Sequence, residues 1–82
     1  MRAEARDKKK RLSYIEAREF ESIEERVAAA EVVLDAKRQA LEDPAVVSDG
    51  RKVQDAMKAL DEAQAAVDAL YQRWAELDAK QA

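Results

Sequence analysis

The 82 residues carry 15 basic and 18 acidic side chains for a net charge of −3, with no Cys, no His, one Pro and one Gly. That inventory excludes a disulfide scaffold and a thiolate or imidazole metal site, and leaves too little turn material for a β-rich fold. It also removes the commonest general base and any Gly-rich phosphate loop, so no catalytic activity, metal or cofactor is expected.

Residues 1–11 set Arg2, Arg6, Lys8, Lys9, Lys10 and Arg11 against Glu4 and Asp7, a net of +4, whereas the remaining nine basic and sixteen acidic residues sum to −7. This lead has no apolar period and reads as a basic linker over residues 1–12. Ser13-Tyr14-Ile15-Glu16 is an S-x-x-E capping box, in which each side chain satisfies the other residue's backbone N–H. It predicts a helix over about 14–42, roughly 43 Å long at 1.5 Å per residue. Along it runs a three-four seam of Phe20, Ile23, Val27, Ala30, Leu34, Lys37 and Leu41. Pro44 then blocks continuation, and Ser48 or Asp49 can cap a new helix. A tip over about 43–48 and a second helix over about 49–80 follow. The second seam is Val53, Ala56, Leu60, Ala63, Val67, Leu70, Trp74 and Leu77.

Two matched 3.5-residue periods about one short break predict an all-α fold, an antiparallel two-helix coiled-coil hairpin spanning residues 13–82 as a monomer. Two alignments place large residues against small ones. In one, paired residue numbers add to 90 and Leu34 faces Ala56; in the other they add to 97 and Leu34 faces Ala63. The first leaves a symmetric tip and is the expected register. Leu41, Val46, Val47 and Val53 are expected to plug that tip. Lys37, the charged seam position, is expected to pack its stem and send its ammonium to water. A second apolar stripe, Ala29, Val32, Val33, Ala36 and Ala40, lies off the seam and suggests a contact with another copy or domain. No run approaches the roughly 18 apolar residues of a membrane span, and no signal peptide is visible, so a cytoplasmic chain without membrane contact is expected.

One cluster has the chemistry of recognition. Lys8, Lys9, Lys10 and Arg11 are followed by Tyr14 and Arg18 at helical spacing. Clustered cations gain free energy at phosphates by counterion release, and an adjacent aromatic ring offers a stacking face.

Residues 10–21, Lys-Arg-Leu-Ser-Tyr-Ile-Glu-Ala-Arg-Glu-Phe-Glu, resemble the KLSYxExxELE opening of the C-terminal domain of Uup-type ABC-F ATPases. The Asp43-Pro44 tip and Tyr71-Gln72-Arg73-Trp74-Ala75-Glu76-Leu77 resemble that domain's DP loop and closing Y-x-R-W-x-x-L-E. Order and spacing match over residues 10–78; Arg11 is interposed before Leu12, Phe20 stands where Leu is usual, and Ala45-Val46-Val47 where an aromatic is frequent. The resemblance implies a non-catalytic appendage that follows two nucleotide-binding domains, joined by a basic linker and binding DNA, branched forms included. Relatives that act on ribosomes make ribosomal RNA the other candidate partner. On this reading Arg73, near Tyr14 and Arg18, joins Lys8, Lys9, Lys10 and Arg11 in contacting phosphates. The alternative is a structural arm that positions or docks on the parent ATPase domains or the ribosome.

Overall fold

The computed structural model describes residues 12–81, so the lead through Arg11 lies outside the described residues. Three helices follow in order: α1 (Tyr14–Ala40), α2 (Pro44–Val47) and α3 (Gly50–Gln81), with no strand among the described residues. The expected tip loop therefore contains a helical turn of its own.

Each boundary has a local cause. Ser13 is extended, and its hydroxyl accepts the Glu16 N–H at 3.1 Å while the Glu16 carboxylate accepts the Ser13 N–H at 3.0 Å. The capping box thus satisfies two donors that the first turn would otherwise leave unbonded. At the other end Lys37 and Arg38 sit in the last turn, where cations offset the helix dipole. The residue before a proline is disfavoured in the helical region, and Asp43 is extended, with ψ of 123°. Its carboxylate accepts the Ala45 N–H at 2.9 Å and Pro44 takes the first helical position, so a new turn nucleates at once. Asp49 repeats the device, accepting the N–H groups of Arg51 and Lys52 at 3.0 and 3.3 Å to open α3.

The long helices α1 and α3 pack together, and α2 lies against α3. Contacts fall in an order compatible with a hairpin: Glu16 meets Lys80, Glu19 meets Arg73, and Glu31 meets Tyr71. The apolar core divides into two clusters. Ile23, Val27 and Leu77 are buried together, flanked by Leu12, Phe20, Leu70 and Trp74. Leu34, Ala63 and Val67 form the other, flanked by Ala30 and Leu60.

These clusters correct the expected register. Leu34 packs with Ala63 rather than Ala56, and Leu77 joins the cluster of Ile23 and Phe20, as in the alignment whose residue numbers add to 97. The cause lies in the tip. The turn of α2 occupies residues 44–47, which moves the reversal from Ala45 to between Ser48 and Asp49. The expected plug is correspondingly looser: Leu41, Val46 and Val53 are half-buried, and Val47 is exposed. Lys37 is exposed, leaving that seam position to water.

Leu77 has no accessible surface, whereas the other register would have set it opposite Ser13 at the helix start. Truncating it removes a full side chain from the core, at a cost of about 2–5 kcal/mol. A single core in a domain of this size rarely supplies more than about 3–5 kcal/mol in total. Leu77→Ala is therefore expected to abolish most cooperative thermal unfolding followed by circular dichroism, and Leu41→Ala at the half-buried tip to lower the midpoint much less. Equal effects would contradict this placement of the core.

Candidate nucleic-acid interface

The end of the helix pair away from the tip carries a network of charges. Arg73 on α3 makes a two-pronged contact with Glu19 on α1, Nε to Oε2 at 2.8 Å and Nη2 to Oε1 at 2.9 Å. Its remaining Nη1 reaches Glu76 at 3.2 Å, and Nη2 lies 3.8 Å from Glu16. Lys80 also pairs with Glu16. The planar guanidinium matches a carboxylate edge to edge, which fixes both helices in rotation as well as distance.

The network shifts the titration of its members. Hydrogen bonding to Lys80, then to the Ser13 N–H, holds the Glu16 carboxyl well below the usual carboxylate range. Arg73 lowers Glu19 in the same way, and Glu19 with Glu76 raises Arg73 further above its ordinary value. On α3, Tyr71 stacks on Trp74 at 6.1 Å between ring centroids and donates its hydroxyl to Glu31 at 3.0 Å, which raises the Tyr71 pKa.

On α1 the first turn is open. Tyr14 is 74% exposed, and Arg18 donates Nη1 to its hydroxyl at 3.0 Å while the guanidinium carbon lies 5.8 Å from the ring centre. One hydrogen bond and a cation–π contact thus hold the aromatic ring and the cation side by side. Tyr14, Ile15, Arg18, Glu19, Ser22 and Arg26 line one shallow groove along α1. A second, lined by Tyr71, Trp74, Ala75 and Asp78, lies along α3.

The sequence-based candidates separate accordingly. Tyr14 and Arg18 are brought together and exposed. Arg73 is engaged with carboxylates, among them Glu19, which lines the groove with Tyr14 and Arg18. Lys8, Lys9, Lys10 and Arg11 lie outside the described residues. Arg26 was missed by the sequence reading, although Tyr14, Arg18, Ser22 and Arg26 stand at strict four-residue spacing. Among the described residues, no cluster of three or more acidic, His or Cys side chains is placed to hold a metal, and no helix is long and apolar enough to cross a membrane.

A family model described as ABC transporter C-terminal domain matches residues 11–79. No curated protein and no solved structure matches the chain.

Lowered carboxyl pKa values fix the sign of a pH effect. Glu16 and Glu19 contribute stability that is fully present above their unfolded value of about 4.3 and is lost as pH falls through the lower folded values. The melting midpoint is expected to fall as pH is taken from about 5 toward 2. Glu19→Gln is expected to lower it at neutral pH and to flatten that acid limb; an unchanged limb in this variant would show that the clamp contributes nothing.

Proposed function

Since this chain belongs to the ABC transporter C-terminal domain family, consistent with the C-terminal domain of ABC-F and Uup-type proteins, we propose that it is a non-catalytic, nucleic-acid-binding appendage of a cytoplasmic ABC ATPase. In this reading residues 13–82 form an antiparallel coiled-coil hairpin and residues 1–12 a basic linker to the ATPase domains. Lys8, Lys9, Lys10 and Arg11 meet phosphates, with Tyr14 and Arg18 continuing the surface and Arg73 holding Glu19 neutralised beside it. The target is the DNA backbone, branched forms included, because no helix gathers a set of base-reading side chains. Ribosomal RNA offers the same phosphate chemistry.

The observation that carries the reading is the exposed Tyr14–Arg18 pair, set on a capped first helical turn directly after the +4 lead. An exposed aromatic ring beside a cation that makes no ion pair among the described residues suits a nucleotide strand better than it suits a packing contact. A second reading has its own support. Val32 and Val33 are 70% and 49% exposed on α1, as a structural arm that docks on the parent ATPase domains would present them.

Binding of the full chain to duplex and four-way-junction DNA, measured at several salt concentrations, tests the proposal. Removing one phosphate-binding cation lowers the log–log salt slope by about 0.9. Changing Lys8, Lys9, Lys10 and Arg11 together to Ala is expected to lower the slope by about 3 to 4 and to weaken binding at low salt. Absence of DNA binding in the parent chain, with association to the ATPase domains that Val32→Glu abolishes, would overturn it in favour of the arm.

A further inference from the structure

We infer that the nucleic-acid surface continues along α1 to Arg26, so that Arg18 and Arg26 together engage the two backbones flanking the major groove of duplex DNA. The inference rests on the DNA-binding reading above and adds a contact, a docking direction and a preference for B-form duplex.

The argument begins with what Arg26 lacks. On a helix surface the neighbours of residue 26 are residues 22, 23, 29 and 30, which here are Ser, Ile, Ala and Ala. In a chain where acidic residues outnumber basic ones, no carboxylate lies one turn away on either side. Across the interface the same holds: among the described residues the ion pairs are made by Arg73 and Lys80, and none involves Arg18 or Arg26. Arg18 has Tyr14 as its hydrogen-bond partner and, although Glu21 stands three residues on, makes no ion pair among the described residues. The one carboxylate in the groove with them, Glu19, is taken up by both prongs of Arg73. The groove therefore presents two guanidinium groups that make no ion pair among the described residues, around a carboxylate that Arg73 holds with both prongs and that the charge of Arg26 also favours.

Spacing gives the direction. Eight residues separate Arg18 from Arg26, a rise of about 12 Å along the helix axis. The major groove of B-form DNA is about 12 Å wide, so a helix crossing it can set one guanidinium on each phosphate wall. Ser22 lies midway on the same face, and its hydroxyl is turned back to the Glu19 carbonyl at 3.2 Å, leaving a low profile between the two cations. A-form RNA has a deep, narrow major groove, which this spacing does not fit.

Arg26→Ala, Arg26→Lys and the Lys8–Arg11 quadruple Ala variant, all in the full chain, are titrated with a duplex DNA and a duplex RNA of one sequence. Thermal melting checks the fold, and Arg26→Ala is expected to melt as the parent does because Arg26 has no intramolecular ion pair among the described residues. Its DNA salt slope is expected to fall by about 0.9, with a loss of affinity of about three- to tenfold at low salt. Arg26→Lys is expected to keep the slope. If the parent chain binds DNA, the quadruple variant weakens it and Arg26→Ala leaves the slope unchanged, this inference fails while the proposed function stands. If Arg26→Ala weakens RNA binding alone, the assignment to B-form duplex fails. If the parent chain binds neither duplex, both fail together.

Discussion

Interlocking of two apolar seams, with Leu77 sealed against Ile23 and Val27, is the constraint from which the other features follow. So few residues are fully buried that the structure has no alternative core to fall back on. Once Leu77 meets Ile23, Arg73, one turn earlier on α3, comes within side-chain reach of Glu19 on α1. That ion pair occupies the carboxylate of Glu19, which lines one groove with Arg18 and Arg26. Hydrophobic packing thus determines the electrostatics of a surface it does not touch.

The charges at this end are arranged by what each can reach. Arg73 and Lys80 on α3 meet Glu16 and Glu19 across the interface, while the α1 cations face outward. An exposed ion pair contributes little by itself, and side-chain entropy offsets much of it. A two-pronged Arg–carboxylate contact with a second carboxylate on the same guanidinium is the geometry in which the contribution rises above that background.

Several features were legible in the sequence because their causes are local. The Ser13–Glu16 box, the interruption at Pro44 and the cap at Asp49 each depend on residues within four positions of one another. The seams were legible because a 3.5-residue period is visible in one strand of text. Register was not, and for a definite reason: the two candidate alignments differ by seven in their residue sum, one heptad, so both keep seam against seam. What separates them is the single helical turn of α2, whose four residues read as loop in any pattern search. The ion pair of Arg73 with Glu19 was not legible, because the two stand 54 positions apart and meet only once register is known. Arg26 stands at four-residue spacing with Tyr14, Arg18 and Ser22, but its place in one groove with them shows only in the fold.

The central claim is that the two seams of one chain pair with each other in the offset register. Methyl–methyl nuclear Overhauser spectroscopy on the labelled full chain, repeated on an equal mixture of labelled and unlabelled chains, measures it directly. The account predicts cross-peaks between Leu77 and Ile23 and between Leu34 and Ala63, with none passing between labelled and unlabelled chains. Cross-peaks from Leu34 to Ala56, or any transfer between chains, would contradict it.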